Sequence, residues 1–164
     1  MNADAQDAGA PPATDAKPAG RSARRRSREL ALQGLYQWLL TGESTAGIAA
    51  QVREHEHHAR ADAAHLDALL HGCIEQAKAL DAQLARHVDR KTTELSPIEH
   101  GVLMIGTYEL AHCIEIPYRV VINEAVELAK GYGGTDGHKY VNGVLDKVAG
   151  ELRAIEVQAR RAGG

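Results

Sequence analysis

The stretch Pro117-Tyr118-Arg119-Val120-Val121-Ile122-Asn123-Glu124-Ala125-Val126-Glu127-Leu128-Ala129-Lys130-Gly131 decides the fold class. Its β-branched run, Val120-Val121-Ile122, would suit a strand if it stood alone. The continuation from Asn123 to Lys130 is rich in helix formers, and Gly131 closes it, so the segment reads as helix. With that segment helical, no convincing strand remains anywhere in the chain.

Downstream, the Gly-rich turn 131–137 reads as a helix–helix connection built on left-handed glycines. A last helix follows, with Val141, Val144, Leu145, Val148, Leu152 and Ile155 as its apolar stripe. Upstream, Ser96-Pro97-Ile98-Glu99 combines an N-cap serine, proline at the first helical position and glutamate three residues after the cap. The helix it starts carries Ile98, Val102 and Ile105 to about Cys113. Before it, Leu66, Leu69, Leu70, Cys73 and Ile74, continued by Ala77, Leu80 and Leu84, predict one helix from Asp62 to Val88. A weaker helix is expected over 45–57. The first should run from near Ser22 to Leu40, with Leu32, Leu35, Tyr36, Leu39 and Leu40 on one stripe and Thr41-Gly42 ending it. The expectation is a compact all-α bundle of six or seven helices over 21–158. It is flanked by a disordered tail, 1–20, and a flexible end, 159–164.

Hydrophobic residues make up 44% of the chain, enough for a core, and with no Phe that core must be aliphatic. No stretch approaches the roughly 20 apolar residues of a membrane span. The N-terminus has no signal-peptide pattern, so a cytoplasmic location is expected. Cys73 and Cys113 each sit in an apolar helical pattern and read as reduced core thiols.

Motifs of catalysis are missing. Gly131-Tyr132-Gly133-Gly134-Thr135-Asp136-Gly137-His138-Lys139 fails both phosphate-loop templates. The run Glu54-His55-Glu56-His57-His58, with His65 nearby, has no ligand set of a known metal site and reads as a solvated face. Glu124 and Glu127 have ordinary helix-surface spacing. No enzyme, cofactor or metal is expected.

Charge is the informative feature. Residues 21–28, Arg-Ser-Ala-Arg-Arg-Arg-Ser-Arg, hold five arginines and no acid, whereas from Glu29 onward 13 Lys and Arg face 19 Asp and Glu. An acidic body with one basic end points to a localised anionic partner. Cations at a helix start oppose the helix dipole and repel one another at i, i+4, and a function is the usual compensation. Arginine holds phosphates bidentately and stacks on unpaired bases, which suits RNA. A solvated flank of the tail is the bland alternative. A membrane-surface role is weaker, since the stripe after the arginines is committed to a core.

The helix Arg24 to Trp38 resembles the opening pattern of the NusB family. Ile116 to Lys130 and His138-Lys139-Tyr140-Val141-Asn142-Gly143-Val144-Leu145-Asp146-Lys147 resemble its last two signatures, and Leu95 to Leu110 fits between them. The likeness covers roughly 22–150 in order, with 41–94 matching only in helical character. It implies two small helical subdomains and a non-enzymatic antitermination factor. Such a factor binds single-stranded boxA RNA of ribosomal RNA leaders with the ribosomal protein NusE, within an RNA polymerase antitermination complex. It implies RNA contacts at Arg24, Arg25, Arg26, Arg28, Gln33, Asp136, Lys139 and Tyr140, and NusE contacts at Tyr36 and Glu99. Tyr140 also reads as core packing beside Val141, Tyr36 lies on the apolar stripe, and Glu99 could complete the capping box. The chain departs from the family at Met104 for a common Arg, Tyr140 for Phe and Gly137 for Ser. Two other readings stand beside this one. One is a protein-binding helical adaptor with an incidental basic end; the other is the accessory domain of a ribosomal RNA methyltransferase, which would need a large catalytic domain. A free-state homodimer is compatible with the sequence.

Overall fold

The computed structural model describes residues 16–163. The expected tail lies largely outside these residues. Among them are eight α-helices and no strand: α1 Ala16–Thr41, α2 Thr45–Arg53, α3 Ala63–Glu75, α4 Ala77–Ala85, α5 Pro97–His112, α6 Tyr118–Tyr132, α7 Gly137–Leu152 and α8 Ala154–Gly163. Short 3-10 turns, His58–Arg60 and Thr92–Glu94, sit in two of the connections. No helix among the described residues is long and apolar enough to cross a membrane.

α5 organises the molecule. It is buried along nearly its whole length, from His100 to Thr107 without interruption, because neighbours cover it on every side. α1, α3, α4, α6 and α7 all pack on it. Glycines permit the close approaches: a Cβ on Gly101 would lie 2.8 Å from Leu32 Cδ1 of α1, and one on Gly106 2.7 Å from Leu145 Cδ1 of α7. The start signal performs as the sequence predicts, with Ser96 Oγ accepting from the Glu99 amide at 3.2 Å. At the other end, α1 stops at Gly42, whose φ of +70° is the left-handed conformation that glycine adopts without strain.

Several expectations are corrected. α1 begins at Ala16, well before Ser22. The single helix expected over 62–88 is two, interrupted at Gln76 (φ −103°, ψ 19°). There is no Gly or Pro there; the break lets α3 follow α1 while α4 turns onto α5 and α7. The 131–137 glycines are not left-handed. Gly133 is extended (φ −98°, ψ −175°), and the constraint on it is space, since a Cβ would meet Ala129 O at 2.8 Å. The last helix breaks at Arg153, so Ile155, expected in the core, is 84% exposed and Val157 takes the buried place.

Arg153 explains that break. Its guanidinium is buried and donates to the carbonyls of Leu110 (2.8 Å), Cys113 (3.1 Å) and Ile116 (3.0 Å). These lie at and just beyond the C-terminus of α5, where carbonyls lack intrahelical partners, so the residue between α7 and α8 caps the central helix. Cys73 and Cys113 are both buried free thiols, and burial raises the Cys113 thiol to about 11.

Candidate nucleic-acid interface

The arginines 24–28, about two to three turns inside a helix that begins at Ala16, lie at ordinary helical intervals, so they point in different directions and meet different partners. Arg28 points inward. Its side chain is 4% exposed, and its Nε donates to both oxygens of buried Glu109, at 3.1 and 2.9 Å. His65 Nε2 meets the same carboxylate at 2.6 Å, and Arg28 Nη1 also lies 3.6 Å from Glu124. Expected among the RNA contacts, Arg28 is instead interior, because its guanidinium compensates carboxylates that α5 and α6 bury.

Arg25 lies at the edge of the same network. It makes a two-pronged bond to Glu124, Nε at 3.0 Å and Nη2 at 2.8 Å, while 45% of its side chain stays exposed. Glu124, expected on a helix surface, is buried, and Glu127 faces solvent beside Lys130. Burial pushes the Glu124 carboxyl upward, but Arg25 and Arg28 outweigh it and hold the group below its ordinary range. Arg24 reaches Asp62 at 3.5 Å and Glu115 at 3.8 Å, and Arg26 pairs with Glu29 at 2.7 Å. Buried Ser27 ties the α2–α3 connection to this helix start, donating to Asp62 O at 2.7 Å and accepting from the Asp62 amide at 2.9 Å.

Gln33 is exposed on α1, nine residues beyond Arg24, hence about 13 Å along the helix. Arg21, Arg24, Asp62, Pro117, Val120 and Asn123 line a groove of about 670 Å³ between the start of α1 and α6.

The second group gathers at the start of α7. Lys139 is exposed and 3.5 Å from Asp136. Tyr140 is half-buried; its hydroxyl donates to Asp89 at 3.1 Å, and the Arg90 guanidinium covers its ring at 4.8 Å. Arg90 and then Tyr140 hold the Asp89 carboxyl below its usual range. Glu99 belongs to this group: its carboxylate would lie 2.9 Å from a Cβ on Gly137, so Gly137 makes room for it. The Glu99 side chain therefore faces α7 and leaves the capping box one-sided. Tyr36 is 40% exposed. The structure thus brings Glu99, Asp136, Lys139 and Tyr140 together past the end of α6, whereas Arg25 and Arg28 meet α6 at Glu124, near its middle.

A protein-family model described as the NusB family matches residues 25–150. This chain belongs to the NusB family. Among curated relatives, the transcription antitermination protein NusB of Cupriavidus pinatubonensis is 54% identical over 156 residues, covering 94% of this chain and 93% of that protein. The protein of the same name from Paraburkholderia phymatum is 60% identical over 139 residues, covering 85% and 96%. Among solved structures, T. maritima NusB aligns with a TM-score of 0.69 at 30% identity, covering 78% of this chain and 91% of that one. A crystal structure of antitermination factors NusB and NusE in complex with dsRNA aligns with a TM-score of 0.68 over 77% and 96% of the two chains. Its 23% identity makes that likeness one of fold.

The NusB match begins at Arg25, so it leaves Arg24 outside, takes in the rest of both groups and stops before α8. What sequence reasoning missed here are the partners rather than the arginines. Glu109 and Glu124 lie in the family-like stretches and Asp62 at a helix start, but nothing local gives them this role, and only the packing of α1 against α3, α5 and α6 makes them a frame. Asp89-Arg90, just past the expected end of the 62–88 helix, has no role until the fold sets it on Tyr140.

Proposed function

We propose that this chain is a transcription antitermination factor, not an enzyme, that binds single-stranded boxA-type RNA together with the ribosomal protein NusE. It would act within an antitermination complex on RNA polymerase and support maturation of ribosomal RNA. One observation carries the reading: relatives named as antitermination proteins align over nearly the whole chain, and the alignment includes the arginine-bearing helix start.

The geometry supports a division of labour. Arg24, Arg25 and Arg26 present partly exposed guanidiniums to phosphates, and the buried carboxylates hold Arg25 in place before RNA arrives. Arg28 positions this frame from inside. Gln33 continues the path along α1. At the other end Lys139 adds charge and Tyr140, held by Asp89 and Arg90, offers a ring to a base. Asp136 sets Lys139. Tyr36 and Glu99 are assigned to NusE, and Glu99→Ala should weaken NusE binding while leaving the binding of RNA alone unchanged.

The test is a fluorescence titration of labelled boxA-type RNA against a scrambled RNA of equal composition, with and without NusE. The expected result is a preference for boxA that NusE strengthens. Equal, weak and salt-sensitive binding to both RNAs, unaltered by NusE, would favour the adaptor reading.

A further inference from the structure

A second group of arginines lies outside everything assigned above. α8 falls beyond residue 150, where the family match ends, and its last turn carries Arg160 and Arg161. Together with Arg119 at the start of α6, they line a recess of about 270 Å³ whose other walls are Tyr118, Asp146 and Val157. All three arginines are exposed.

Their electrostatic state differs from that of the α1 cluster. Arg24, Arg25, Arg26 and Arg28 each hold a carboxylate. Among the described residues no carboxylate lies within ion-pair distance of Arg119, Arg160 or Arg161. The one acid of α8, Glu156, is already engaged by Arg153 and by the Tyr118 amide at 2.8 Å. Three guanidiniums without an ion pair, outnumbering the one carboxylate of the recess, Asp146, favour an anion with several oxygens.

Position identifies the kind of anion. Pro117 and Val120 line the groove beside Arg21 and Arg24, whereas Tyr118 and Arg119 line the recess. The first turn of α6 is therefore a wall common to both, and a polyanion leaving the groove passes the recess within one helical turn. We propose that the recess between α6 and α8 is a second phosphate-binding surface, holding RNA nucleotides that flank the element bound at the start of α1. This inference rests on the RNA-binding reading and extends the footprint of the same ligand.

The experiment uses the full chain with NusE and two RNAs: the boxA-type core alone, and the same core with unstructured adenosines at both ends. The comparison is between the wild type and the double variant Arg160→Ala/Arg161→Ala, with Arg160→Glu/Arg161→Glu as a stronger form. The wild type should bind the flanked RNA more tightly. If two further phosphates are engaged, its log–log salt slope should be steeper by about 1.4, so that a fourfold rise in salt removes about sevenfold of the advantage. The variants should bind the core as the wild type does and lose the flank advantage. A wild type indifferent to the flanks, variants that keep the advantage, or variants weakened equally on both RNAs would overturn the proposal. A scrambled core serves as control. If the wild type gains from flanks without preferring the true core, the antitermination reading fails while the recess stands.

Discussion

Arginines with the same spelling in the sequence have different work in the fold, and substitutions should separate them. Arg28→Ala leaves Glu109 buried with His65 but no guanidinium, and removing one member of a buried ion pair costs about 3–5 kcal/mol. That loss should appear in denaturant unfolding. Arg25→Ala acts at the surface: RNA affinity should fall across sequences, with a salt slope shallower by about 0.7. Tyr140→Ala should weaken RNA binding by about 1–3 kcal/mol with the slope unchanged, as expected for a lost stacking platform. Tyr140→Phe, which removes only the bond to Asp89, should bind nearly as the wild type does. A common slope change in Arg25→Ala and Tyr140→Ala would contradict this assignment. The cluster itself was legible in the sequence as five arginines without an acid, repelling one another at i, i+4. Opposition to the helix dipole plays no part, because α1 starts at Ala16 and the cluster lies beyond its first turn. Which arginine turns inward was not, since that depends on Glu109, 81 residues away.

Helices reveal the same contrast between local and distant causes. The Ser96-Pro97 start, the Gly42 stop and the stripes of α3 and, short of Ile155, α7 rest on residues close in sequence, and all were readable. The breaks at Gln76 and Arg153 answer to other helices and were not. The α3 surface offers a direct test, because a Cβ on Gly72 would lie 2.3 Å from Tyr108 Cε1 of α5. Gly72→Ala should therefore destabilise the protein by about 1–3 kcal/mol through overpacking. Trimming Tyr108 in the same chain should relieve part of that cost, and a double-mutant cycle would read the coupling. The α4–α7 junction is governed by charge. Glu151 of α7 accepts from Gln83, Arg86 and His87, and the bonds from Arg86 and then His87 lower its carboxyl to about 2. Because the folded value is depressed, this stabilisation is present above the ordinary carboxylate range and disappears as pH falls from about 4.5 to 2. The melting-temperature gap between the wild type and Glu151→Gln should close over that interval, and a gap independent of pH would show that the charge is idle.

At the scale of the molecule, α1, α3, α4, α6 and α7 pack on α5, and the two ends of the candidate interface hang from it. The all-α class and the family were readable because periodicity and three ordered motifs agree. The separation of the interface into a carboxylate-framed end and an aromatic end was not, because it follows from how α5 sets α1 against α6 and α7. A fragment ending at residue 94 contains α1 to α4 but neither Glu109 nor the α5 surface, and circular dichroism and amide exchange should find it without protected structure. This dependence matters while the chain is being made. Synthesis runs from the N-terminus at about 5–20 residues per second, so the stripe of α1 waits several seconds for its cover. Throughout that interval Leu32 and Leu35 have no core to enter, and Arg28 has no carboxylate to meet. Nascent chains should therefore stay open to chaperones, and able to touch nucleic acid indiscriminately, until the chain has been made past Glu109, two-thirds of its length.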